Sequence, residues 1–183
     1  GYKKATDLFK RDEIEAATDL VIYAVDPGNG TLTPRRSADR FFQGNIVQAM
    51  RAYGAGELGE PPIPMSAVTR MIVIGSDRMM AAVKAARHTV LAPFLRPGHA
   101  AIGSINSPMQ CMMKEVCAQC LQKHIDPVTG KESFVFSCYD QDQPLDQVDF
   151  VHLNARLRQN TVNEKLSSQY FELLTEKGGL IRV

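Results

Sequence analysis

Apolar positions in this chain switch between helical spacing and short continuous runs, and the switching predicts its elements. Leu8, Phe9, Ile14 and Ala17 recur as on an amphipathic helix over residues 5–17. The run "LVIYAVD", residues 20–26, then reads as a strand buried on both faces and ended by the turn former "PGNG". Helical spacing returns in "SADRFFQGNIVQAMRAY", with Phe41, Ile46, Val47 and Met50 on one side and Ser37 or Asp39 as N-cap. After "GAGELGEPPIP" come a second buried-type strand, "MIVIGS", and a helix, "DRMMAAVKAARHTVLAPF", capped by Ser76 or Asp77; a third short strand, "AAIGSI", follows. The C-terminal part reads as a hairpin, "HIDPVTGKESFVFSCYD". One or two tail helices follow, with Val162, Leu166, Tyr170, Leu173 and Leu174 in phase, closed by "KGG".

Helix and strand in alternation predict an α/β fold with a doubly wound parallel sheet. Three strands are fewer than the roughly five such sheets usually have, so the expectation is a partial sheet whose first strands lie upstream of Gly1. A start at Gly1, directly into a charged segment, adds to the expectation of a fragment. The expected organisation is the C-terminal portion of a nucleotide-binding domain over residues 1–106, a small cysteine-bearing hairpin lobe over 107–150 and a helical tail over 151–183.

Composition narrows the partners. With 183 residues and 44% hydrophobic content the chain has material for a real core. Twenty-one Lys and Arg against 20 Asp and Glu leave a net charge of +1, which gives no field toward nucleic acid or an anionic membrane. No stretch approaches the roughly 20 apolar residues of a membrane-spanning helix, and the expected location is cytoplasmic.

The chemistry concentrates in "CMMKEVCAQC", residues 111–120. Cys111, Cys117 and Cys120, joined by Cys138, give C-x5-C-x2-C-x17-C. In a reducing compartment clustered cysteines serve as thiolate ligands more readily than as disulfides. A triplet plus a remote fourth cysteine suits a [2Fe-2S] centre, one residue from the plant-type spacing. Four thiolates also hold tetrahedral zinc, usually as two close pairs. Cys117 and Cys120 form a literal C-x-x-C, but far from the first strand where a thioredoxin-like motif belongs. His124, in a polar segment, is expected to be solvated, with a ligand role as the lesser alternative. "GAGELG", residues 54–59, matches G-x-G-x-x-G but follows a helix rather than a strand, so it reads as a surface loop. "VDPGNG" ends a predicted strand, where α/β sheets bind ligands, which makes Asp26 and Gly28 candidates for nucleotide contact beside the plain reading of a turn.

Taken in order, "VIGSDRMMAAVKAAR", "SINSPMQCMMKEVCAQC" and "FSCYDQDQPLDQVDF" resemble the ferredoxin-NADP reductase superfamily. The likeness is to the C-terminal half of the electron-transfer subunit of dihydroorotate dehydrogenase and to the flavin-bearing small subunit of NADH-dependent reduced ferredoxin:NADP oxidoreductase. With "TDLFKRDEIEAATDLVIYAVDPGNG" it extends over most of residues 5–155. The resemblance implies a nicotinamide-nucleotide domain, a [2Fe-2S] lobe held by Cys111, Cys117, Cys120 and Cys138, and FAD on an upstream β-barrel absent from this sequence. It also implies a partner oxidoreductase subunit, and a nicotinamide site beside residues 75–80 that points to Gly75, Ser76, Met79 and Met80. The Met pair reads equally well as helix packing. Ser76 stands where relatives carry proline, and the first cysteine gap, filled by "MMKEV", is one residue longer and lacks their glycines.

Overall fold

The structure is a computed structural model that describes residues 1–105, 111, 113–159 and 161–176. The expected domain limit at 106/107 and the "KGG" helix end lie outside the described residues. The described residues form a mixed α/β chain with small parallel and antiparallel strand pairs, and no closed barrel occurs among them. It divides into two compact units, Gly1–Ser104 and Ile105–Val183.

The first unit opens with a 3-10 turn, Ala5–Asp7, and helix α1, Arg11–Ala16, in place of one helix over 5–17. Lys10 sits at φ 55°, and this left-handed residue separates the two pieces. Strand β1, Ile22–Val25, is almost wholly buried. It pairs in parallel with β2, Arg40–Gln43, in the register Ile22↔Arg40 to Val25↔Gln43.

The second strand corrects the expectation of a helix over the whole of "SADRFFQGNIVQAMRAY". Phe41 and Phe42 favour extended backbone, and the edge of β1 offers hydrogen bonds, Arg40 N–H to Val21 O at 2.9 Å and Gly44 N–H to Val25 O at 2.8 Å. Helix α2, Ile46–Gly54, therefore starts later, and its cap is Asn45 rather than Ser37 or Asp39. Asn45 Oδ1 accepts from Gln48 N–H while Gln48 Oε1 accepts from Asn45 N–H, both at 3.0 Å, which completes a capping box. Asp39 instead accepts from Val21 N–H at 2.9 Å and pairs with Arg36 at 2.7 Å.

Strand β3, Arg70–Ile74, leads through Gly75 to helix α3, Asp77–Arg87, and then to β4, Ala100–Ser104, which runs parallel to β3. Ser76 caps α3 through Met79 N–H at 3.3 Å. β3 is not buried on both faces as its apolar run suggested: Met71 and Val73 point inward, whereas Ile72 is 57% and Ile74 63% exposed. Among the described residues nothing covers that second face.

Under α1 lies a charge cluster centred on Glu15, whose side chain is only 11% exposed. It accepts from Arg11 Nε and from the Tyr23 hydroxyl, both at 2.7 Å, and pairs with Arg35 at 2.8 Å. The Arg11 hydrogen bond above all holds the Glu15 carboxyl down at about 2.

In the second unit, β5, Leu121–Ile125, and β6, Glu132–Phe136, form an antiparallel hairpin in the register Leu121↔Phe136 to Ile125↔Glu132. Its turn is fixed by Asp126 Oδ1, which accepts from Val128 and Thr129 N–H at 2.9 and 2.7 Å, and by Gly130 at φ 69°. A short strand β7, Asp142–Pro144, and helices α4, Phe150–Gln159, and α5, Thr161–Glu176, are the remaining described elements. No helix among the described residues is long and apolar enough to cross a membrane.

Two predictions follow from the N-terminal unit. Asn45→Ala is expected to lower stability in urea melts by about 1 kcal/mol, against a change within about 0.5 kcal/mol for the exposed Ser37→Ala. Because the folded pKa of Glu15 is depressed, its contribution is complete above the ordinary carboxyl value near 4.5 and is lost as the pH falls toward 2. Glu15→Gln should accordingly flatten the loss of thermal stability between those pH values.

Candidate metal centre

The loop ahead of β5 turns tightly without glycine. Met113, Glu115 and Ala118 hold φ of 65°, 57° and 53°. Left-handed backbone costs a residue with a side chain roughly 1–2 kcal/mol, so "MMKEV" pays for a conformation that glycine would adopt freely. Lys114 N–H donates to Cys111 O at 3.3 Å, which closes the turn that carries Cys111. Neighbouring backbone amides, Cys117 first, favour the thiolate and bring the Cys111 thiol down to about 6. Both cysteines remain partly accessible.

Cys120 and Cys138 form a second, buried pair with sulfurs 3.1 Å apart. Ser137 N–H donates to Cys120 O at 2.9 Å, extending the hairpin ladder to the point where the two thiols meet. The Cys138 thiol is pushed up to about 11, first by its hydrogen bond with Cys120, then by burial and by the neighbouring sulfurs of Cys120 and Cys111. Arg156, from α4, clamps the loop by donating to Ala118 O at 2.6 Å and Gln119 O at 3.1 Å.

The loop and hairpin thus gather the four sequence-predicted cysteines as two close pairs. Among the described residues no three Cys, His, Asp or Glu side chains close on one point as an assembled cage. The chemistry of the donor set nonetheless suits a thiophilic metal or cluster, because four soft sulfurs are the ligands such a centre takes.

His124 corrects the expectation of a solvated side chain. It lies on β5, buried, with Nε2 2.7 Å from Gln143 Oε1, and is engaged there rather than directed at the cysteines. Gln143, Ser137 and Arg156 are the residues that sequence reasoning missed. Only the polar cluster "DQDQ" beside Cys138 marks the first of them.

In the N-terminal unit a cleft of about 960 Å³ brings together four of the six candidate nucleotide residues: Asp26, Gly75, Ser76 and Met79. Gly28, at φ 80°, sits in the exposed turn after β1 and outside the cleft lining, and Met80 is buried in the core face of α3. Two strand–glycine–cap–helix junctions border the cleft, Gly44–Asn45 before α2 and Gly75–Ser76 before α3. At Gly75 φ is 155°, a backbone conformation that residues with side chains rarely adopt, which favours glycine at this turn. The stretch "GAGELG" ends α2 and continues as turns, with Gly56 and Gly59 at φ 74° and 89°; no strand precedes it.

The contrast between the pairs gives a reactivity order. At pH 7, iodoacetamide is expected to alkylate Cys111 at least about tenfold faster than Cys120 or Cys138, with a rate that rises through pH 6, as peptide mass mapping would measure.

No family model matches this chain. Over 65 residues it is 48% identical to the uncharacterized protein RP006 of Rickettsia prowazekii (strain Madrid E). The matched stretch is 36% of this chain and spans only 9% of that protein's length.

Proposed function

We propose that this chain is part of an NAD(P)H-linked iron-sulfur flavoprotein that relays electrons to a partner oxidoreductase subunit, with FAD carried on an upstream domain. The observation that carries the reading is the gathering of Cys111, Cys117, Cys120 and Cys138 in one loop and hairpin, with the sulfurs of Cys120 and Cys138 3.1 Å apart. When bound, a [2Fe-2S] cluster supplies single-electron transfer, whereas hydride chemistry belongs to the nicotinamide and the flavin. The chain's own part is positioning. Neighbouring backbone amides favour a Cys111 thiolate, the hairpin buries Cys120 and Cys138, and Arg156 holds the intervening carbonyls.

The N-terminal unit fits the same reading as one doubly wound sheet completed by strands supplied from upstream. Its support is Tyr2, which bridges in parallel to Val25 on β1. Asp26, Gly75 and Ser76 would then stand at the carboxyl ends of the strands, where such sheets bind nucleotides.

A second reading, a zinc-stapled binding module without electron transfer, draws on the arrangement of the sulfurs as two close pairs, Cys111 with Cys117 and Cys120 with Cys138. Anaerobic purification followed by metal and sulfide analysis separates the two. The relay reading expects a coloured protein with roughly two iron atoms and two acid-labile sulfides per chain. A colourless protein with about one zinc and no sulfide sinks it and establishes the module. For the nucleotide site, Gly75→Trp in a polypeptide that includes the flavin domain should lower NAD(P)H oxidation by an artificial acceptor at least about tenfold, with the cluster spectrum unchanged. Full activity in that variant would remove the nicotinamide from this turn.

A further inference from the structure

The hairpin alone does not bring Cys138 to Cys120. The bond from Ser137 N–H to Cys120 O makes Ser137, not Cys138, the residue opposite Cys120. In an antiparallel ladder the next residue points to the other face. Cys138 returns to its partner because the chain leaves the ladder in a turn, with Tyr139 and Asp140 N–H both bonded to Phe136 O at 2.9 and 2.8 Å. The 3.1 Å approach of the sulfurs therefore depends on whatever holds that turn.

One buried side chain does so. Gln143, 1% exposed, donates through Nε2 to Ser137 Oγ and to Asp140 O, both at 2.9 Å, and so grips the chain on either side of Cys138. Its other end meets His124 Nε2 on β5 at 2.7 Å, four residues after Cys120. The chemistry fixes the direction of every bond. The Asp140 carbonyl can only accept, so the Gln143 amide nitrogen faces it; Gln143 Oε1 then faces the histidine, and His124 Nε2 carries the proton.

We propose that Gln143 is the positioning residue of the cysteine site, a buried amide clasp that sets the distance between Cys138 and Cys120 with His124 as its anchor. Its importance for metal binding rests on the thiolate-ligand reading above; its grip on the thiol pair does not. Partners of this kind, which orient a ligand without touching the metal, typically change metal affinity by about 10–100-fold when removed.

The test uses the full reduced chain, Gln143→Met, which keeps the bulk and removes the hydrogen bonds, and Gln143→Glu, which keeps the acceptor for His124 and Ser137 but cannot donate to Asp140. Cobalt(II) is the metal probe. Its thiolate charge-transfer and ligand-field bands report geometry, and chelator competition gives the Kd. The metal-free readout is the rate at which diamide closes the Cys120/Cys138 disulfide, the two thiols giving up two protons and two electrons to the reagent. Far-UV circular dichroism checks the fold of each variant. The expected result is cobalt affinity roughly 10–100-fold lower, with shifted ligand-field bands, in Gln143→Met, a smaller loss in Gln143→Glu, and slower disulfide closure in the same order. If Gln143→Met does not fold, Gln143→Glu and Ser137→Ala, which removes one of the three bonds, decide by the same readouts. Unchanged cobalt affinity and unchanged closure in the folded variants would overturn the proposal. If the wild-type chain binds no cobalt while the variants close the disulfide more slowly, the thiolate-ligand reading fails and the clasp stands.

Discussion

The ladder bond from Ser137 N–H to Cys120 O is the contact on which the cysteine region depends. It extends the β5–β6 hairpin past Leu121 and Phe136 to the level of the buried thiols, and so couples sulfurs from opposite ends of a long sequence gap. The hairpin is in turn anchored at its far end by the Asp126 turn, whose side-chain oxygen replaces missing backbone partners. A fixed register at both ends leaves one degree of freedom, the conformation of the turn that carries Cys138, and a buried amide occupies it.

The two thiol pairs inhabit different physics. Neighbouring backbone amides lower the Cys111 thiol and favour its anion, in a loop where Met113, Glu115 and Ala118 accept left-handed backbone. Cys120 and Cys138 are buried with their sulfurs 3.1 Å apart, and the hydrogen bond with Cys120, followed by burial, raises the Cys138 thiol.

In the N-terminal unit the recurring device is a strand that ends in a glycine and hands over to a capped helix. Gly44 with Asn45 and Gly75 with Ser76 repeat it, and both junctions border one cleft. Glycine is favoured where the chain leaves the sheet at φ 155°, and the cap satisfies an amide that the first helical turn leaves bare.

Much of this was legible in the sequence. The apolar runs at 20–26, 71–76 and 100–105, the hairpin and both tail helices follow from local periodicity, because burial of alternate or successive side chains is encoded residue by residue. The cysteine spacing likewise marked the loop and hairpin that gather the thiols. Other features needed partners distant in sequence. "RFFQ" became a strand because the edge of β1 was available, and Ile72 and Ile74 stayed exposed because no described element packs over them. His124 was drawn from the solvent by Gln143, 19 residues away. The left-handed turns within "MMKEV" show no glycine to announce them. The sequence by itself determined which segments are strands and helices wherever the pattern is local, and which four sulfurs share a loop and hairpin. Only the tertiary structure decided which sulfurs pair, which face of β3 is covered and which polar side chains are buried, because those outcomes depend on hydrogen-bond partners and packing surfaces brought together by the fold.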